Sequence, residues 1–175
     1  MAASRIRNRG ASDTRCGNRT DPAASVASLD AETIRFIEGQ PFFILGTANE
    51  TGDCDCSYRG REPRSDGTLQ PLLQSVDAVS LVLPNFSGNK LLNSIGNLLR
   101  NPHLALLFVD FAHGVGTAIR GAACIEHANA SAWQHVWPTA DAFIIVGVRQ
   151  VVTERYGDIP ALRPVPCGHP SMVRP

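Results

Sequence analysis

The sequence predicts a mainly β protein, a small closed barrel of about six antiparallel strands with two or three short helices. Three observations point there. Short apolar or alternating runs recur along the chain, each bounded by turn residues. Most of these runs follow one another through short turns, as antiparallel neighbours do. Short strands of mixed polarity leave exposed edges unless the sheet closes on itself.

The totals fit one globular unit. The chain has 175 residues, with 43% apolar content, so a single domain is expected. Its boundaries are placed at 26–155, between a tail at 1–25 and a Pro-rich tail at 156–175. Sixteen basic residues balance sixteen acidic ones, which argues against bulk electrostatic binding to nucleic acid or to a membrane surface. No apolar run reaches the roughly 18–20 residues of a spanning helix. Five cysteines in no scaffold spacing, without a signal peptide, imply reduced thiols in a cytoplasmic protein. The first 25 residues carry Arg5, Arg7, Arg9, Arg15 and Arg19 but no apolar period, and read as a disordered tail.

The elements follow in order. Asp30 reads as an N-cap, Leu29 and Ile34 as a hydrophobic staple, and Gly39 as a stop, giving a helix over 31–38. Phe42 to Ala48 is a buried strand. Asn49 to Asp53 turns the chain into a second strand, 54–60. There Cys54, Cys56 and Tyr58 share one face, and Asp55, Ser57 and Arg59 the other. Residues 61–75 form a loop. A strand over 76–83 stops at Pro84, and the polar turn Asn85-Phe86-Ser87-Gly88-Asn89-Lys90 follows. Leu91, Leu92, Ile95, Leu98 and Leu99 then recur at helical spacing up to Asn101-Pro102. Strands are expected over 104–111 and 117–127, and a short helix near 129–135. The strand over 141–152 is apolar on both faces up to Val148, so it lies centrally or in an interface.

Two places point to an anion. The turn before the 91–99 helix presents unpaired backbone N–H groups and the positive end of the dipole. Lys90, the only lysine in the chain, stands there, so the turn suits a phosphate. Ser57 and Arg59 project from one strand face about 7 Å apart, and also suit an anion held against the sheet. A blander alternative stands beside each. Lys90 can be read as a surface lysine at a helix start, and Arg59 as an ion-pair partner of Asp55.

Three stretches resemble the pyridoxamine 5'-phosphate oxidase-like, flavin-binding split-barrel family. They are FIEGQPFFILGTANETGDCDCSYRG (36–60), LVLPNFSGNKLLNSIGNLLRNPHLALLFVDF (81–111), and AIRGAA (118–123) with WPTADAFIIVGV (137–148). The resemblance implies a six-stranded antiparallel split β-barrel, a homodimer, and FMN bound at the subunit interface. It implies a flavin-dependent oxidoreductase acting on a small molecule. The alternative is a non-catalytic flavin- or haem-binding protein on the same barrel; deazaflavin is a further cofactor of such barrels. By this resemblance Arg59 and Lys90 are the phosphate cations, and Ser57, Ser87 and Asn89 donate hydrogen bonds. Tyr58 belongs to the same strand segment, and backbone at Leu83, Pro84 and Asn85 runs along the flavin. The chain departs from the true oxidases. Asn89-Lys90 stands where they have a basic pair, and PVPCGHPSMVRP does not match their C-terminal Arg and His. Both departures argue against vitamin B6 as the substrate.

Other chemistry is weakly marked. Cys54-x-Cys56 and Cys167-x-His169 lack the usual zinc spacing, so buried apolar cysteines are expected and no metal. Arg120 is a candidate for reaching across a dimer interface. No nucleophile constellation, dinucleotide fingerprint or carboxylate dyad appears. In a flavin enzyme the cofactor carries the redox chemistry, and the protein positions it.

Overall fold

The computed structural model describes residues 28–86, 93–157, 160 and 162. Most of the two expected tails therefore lies outside the described residues, as do Ser87, Asn89 and Lys90. One antiparallel sheet of seven strands dominates, in the order β2-β1-β5-β6-β7-β4-β3. The strands are β1 (Phe42–Ala48), β2 (Cys54–Gly60), β3 (Gln74–Asp77), β4 (Ser80–Asn85), β5 (His103–Asp110), β6 (Val115–His127) and β7 (Ala142–Arg155). Helix α1 (Ala31–Gly39) precedes the sheet, and α2 (Asn93–Arg100) links β4 to β5. The architecture is the expected antiparallel split barrel, with seven strands instead of six.

The extra strand comes from a reversal inside the single strand expected over 76–83. The Val79 N–H donates to Asp77 Oδ1 at 2.8 Å, an Asx-type turn that folds β3 back on β4. Pro84 does not end β4 as expected. It pairs with Phe143 of β7, while the described β3 pairing stops at Val82. On that side Pro84 needs no donor, which is where a strand tolerates proline.

Local signals place the helices. Asp30 caps α1 by accepting from the Thr33 N–H at 2.7 Å, and Ile37 is fully buried. The expected stop at Gly39 lies one residue early: Gly39 is the last helical residue and Gln40 the cap. In α2, Ser94 and Leu98 are buried, but Leu99 is 70% exposed, so the apolar stripe is narrower than expected. The helix expected near 129–135 is two short 3₁₀ turns, Ala128–Ala130 and Ala132–His135. β7 is central, between β6 and β4, and Phe143, Ile144, Val146 and Val148 are buried, as its two apolar faces require.

The sheet curls around one core. Phe43 and Leu45 of β1, Leu81 and Leu83 of β4, Leu106 and Phe108 of β5, and Ile119 of β6 meet inside it. A second cluster, Val82, Phe143, Trp137 and Ala140, covers the outside of β4 and β7. The Trp137 indole N–H donates to the Pro71 carbonyl at 2.7 Å. Residues 61–73 and 131–140 are thereby tied together. Outside β2, β1, β5 and β6 no such cover exists among the described residues. Cys54, Cys56 and Cys124 are exposed there, so Cys54 and Cys56 are not buried as expected. Their strand parity opposes that of the core residues, and parity outweighs the general preference of cysteine for the interior.

Candidate functional site

The site lies where the two ends of the curled sheet approach each other. β2 is the first strand in the sheet order and β4 the sixth. The face of β2 that holds Ser57 and Arg59 turns inward and is half-buried, while Cys54, Cys56 and Tyr58 face out. Arg59 Nη1 donates to Asn85 Oδ1 of β4 at 3.0 Å, and Arg59 Nε to Ser57 Oγ at 3.4 Å. The Ser57 and Ser94 hydroxyls are 3.1 Å apart, so α2 joins the same chain of contacts. Next to it the Asn97 amide donates to Thr47 Oγ1 at 3.1 Å, fixing α2 against β1. One hydrogen-bonded line thus runs from α2 through β2 to β4, crossing the seam of the barrel.

The electrostatics of this line are unusual. Burial pushes the Arg59 guanidinium below its ordinary range, and the Asp55 carboxylate on the same strand face offsets part of that. Among the described residues no carboxylate forms an ion pair with Arg59; its partners are an amide and a hydroxyl. The alternative of an Asp55–Arg59 ion pair therefore does not hold. A half-buried cation with neutral partners favours an added anion, because pairing offsets the cost of desolvation. The donors present suit a phosphate: a guanidinium that offers several N–H groups in one plane, beside two hydroxyls.

The structure sorts the expected site residues. Ser57, Arg59 and Asn85 come together, and Asn85 does so through its side chain, which is 5% exposed. Tyr58 points the other way. Its ring is exposed and stacks on Phe42, with centroids 5.2 Å apart at 27°. Leu83 turns its side chain into the core, and Leu83 and Pro84 both pair with β7. Ser87, Asn89 and Lys90 lie outside the described residues. Ser94 was not anticipated. The available signal was a serine one turn before Leu98, inside the apolar stripe of its helix, where a polar side chain needs a buried partner.

Elsewhere among the described residues no comparable constellation appears. Arg120 lies on the outer face and donates to Gln150 Oε1 at 2.7 Å. Among the described residues no group of three His, Cys, Asp or Glu side chains could hold a metal ion. No described helix is long and apolar enough to cross a membrane.

Comparison with known proteins agrees with the barrel. No curated protein matches the sequence. The solved structure of a single-site variant of HupZ from Group A Streptococcus superposes with a TM-score of 0.54 at 15% identity, over 71% of this chain and 98% of that one. A putative pyridoxamine 5'-phosphate oxidase from Lactobacillus delbrueckii gives 0.54 at 13% identity, over 73% of this chain and 95% of that one. At such identities the two likenesses concern the fold alone. The sequence model for pyridoxamine 5'-phosphate oxidase matches residues 29–150, nearly the whole barrel, including both strands of the seam and the helix between them. The chain belongs to the pyridoxamine 5'-phosphate oxidase family.

Proposed function

We propose that the protein is an FMN-dependent oxidoreductase that works as a homodimer. One observation carries the reading: Arg59 is half-buried at the barrel seam with only neutral partners, Asn85 and Ser57. A terminal phosphate satisfies that cation and takes further hydrogen bonds from Ser57 and Ser94. Family membership supplies the chemical context for FMN over other phosphate esters.

The residues present fit the group. Arg59 binds and orients the phosphate, and Ser57 and Ser94 fix its remaining oxygens. The curled edge of β2 and the end of β4 exclude water from one side of it. FMN, when bound, supplies the hydride and electron chemistry. The chain supplies position and charge.

The homodimer reading rests on the outer face of β2, β1, β5 and β6. Ile44 pairs with Tyr58 and Leu107, and Leu107 with Ala118. One row over, Gly46 pairs with Cys56 and Ala105. This face is small and largely apolar, and among the described residues nothing covers it, with Tyr58 at 66% and Leu107 at 39% exposure. A contiguous apolar face of this kind suits a second copy.

Absorbance tests the cofactor. Purified protein that is yellow, with a band at about 450 nm, and that bleaches on addition of NADH or NADPH supports a flavin oxidoreductase. A Soret band in its place points to haem. Colourless protein that ignores added FMN refutes the proposal.

A further inference from the structure

We infer that Asn85 is a positioning residue that makes the seam selective for a phosphate-bearing ligand: its neutral amide holds the Arg59 guanidinium in place without cancelling its charge. The inference rests on the reading of the seam as the flavin phosphate site, and extends it to a side chain that need not touch the phosphate.

The geometry carries it. Asn85 is nearly fully buried at the end of β4. Its backbone is fixed against the start of β7: it pairs with Ala142, and its carbonyl accepts from the Asp141 N–H at 2.9 Å. Its side-chain oxygen accepts from Arg59 Nη1 at 3.0 Å. The amide orientation follows from its partner, since a guanidinium only donates. Ser57 takes the Nε edge of the same guanidinium at 3.4 Å. Two neutral acceptors thus steer the fork on two sides, and Nη2 has no partner among the described residues. A carboxylate at position 85 would reach the same Nη1 with the same shape and accept the same hydrogen bond. It would also neutralise the cation and repel a phosphate. An amide is the isostere that gives the hold without the neutralisation.

The test compares FMN with riboflavin, which lacks only the phosphate. Dissociation constants are measured by flavin fluorescence for the full chain and for Asn85→Asp and Asn85→Ala. Thermal midpoints are measured without ligand. The wild type is expected to favour FMN. Asn85→Asp should lose FMN affinity by about ten-fold or more, keep its riboflavin affinity, and keep or raise its thermal midpoint. Asn85→Ala leaves the charge but frees the side chain, so its preference for FMN should fall by a smaller factor. If Asn85→Asp folds and keeps the full wild-type preference for FMN, the inference is overturned and the phosphate reading stands. If Asn85→Asp does not fold, an unchanged preference in Asn85→Ala overturns it. A wild type that binds both flavins equally overturns the phosphate reading itself, and the inference with it.

Discussion

Replacing Arg59 by methionine separates the two roles that the structure gives this side chain. Methionine keeps a similar unbranched stem, so packing along β2 changes little. The guanidinium is lost, and with it a charge-assisted contact to phosphate worth about 1.5–3 kcal/mol, roughly ten- to a hundred-fold in affinity. Riboflavin has no phosphate and should bind as before. A second effect falls on stability. Asn85 Oδ1, held by Arg59 at 3.0 Å in a side chain only 5% exposed, would be left without that donor, at a cost of about 1–3 kcal/mol. The ligand-free protein should therefore melt earlier. Adding Asn85→Leu to Arg59→Met removes the orphaned acceptor and should restore part of the lost stability, while FMN binding stays weak. The assay is a fluorescence titration with both flavins, beside thermal melts of the two variants. Equal losses for FMN and riboflavin would refute the phosphate role, and an unchanged melt would refute the seam role.

Other perturbations address different links. Lys90→Ala, at the turn that the sequence marks for a phosphate, should cost FMN about 1.5–3 kcal/mol and riboflavin little; equal losses remove Lys90 from that site. Gly121→Ala should destabilise the fold by about 1–3 kcal/mol or more in a denaturant titration. Its Cβ would collide with the Gly147 carbonyl and lie 3.0 Å from Val146 Cγ1, beside the irregular register of β6 and β7. A neutral result would mean that the ribbon yields there. Asp110 accepts hydrogen bonds from His113 Nδ1 at 2.7 Å and from the His113 and Ala112 N–H groups. His113 is the main cause holding its carboxyl below the ordinary 3.8. A carboxyl lowered by folding adds stability above its unfolded value, and that stability is lost as pH falls through the lower folded value. Asp110→Asn should therefore flatten the acid limb of a stability-against-pH profile; an unchanged limb contradicts this.

Much of the barrel was legible because its strands alternate or run apolar between clear turn residues. β1 and β2 match their expected limits, since NETGD separates one buried run from one alternating run. β7 declared itself by two apolar faces. The β3–β4 reversal was hidden because SVDAVSLVL reads as one β-prone run. What breaks it is a single side-chain contact from Asp77, in a turn with neither Gly nor Pro. The cysteines misled for a related reason. General burial preference favoured the interior, while their position relative to Ser57 and Arg59 put Cys54 and Cys56 outside. At the site, parity correctly put Ser57 and Arg59 on one face. Which face turns inward depends on how the sheet curls, and no local signal carries that. The Arg59–Asn85 contact joins residues 26 apart in sequence, and Ser57–Ser94 joins residues 37 apart. Partners so far apart cannot be read from local spacing.

A crystal structure of the protein with FMN tests the central claim most directly. The account predicts a phosphate within hydrogen-bond distance of the Arg59 guanidinium and of Ser57 Oγ, with Asn85 still holding Nη1. Flavin density whose phosphate lies away from the seam between β2 and β4, with Arg59 bonded only to Asn85 and Ser57, would contradict it.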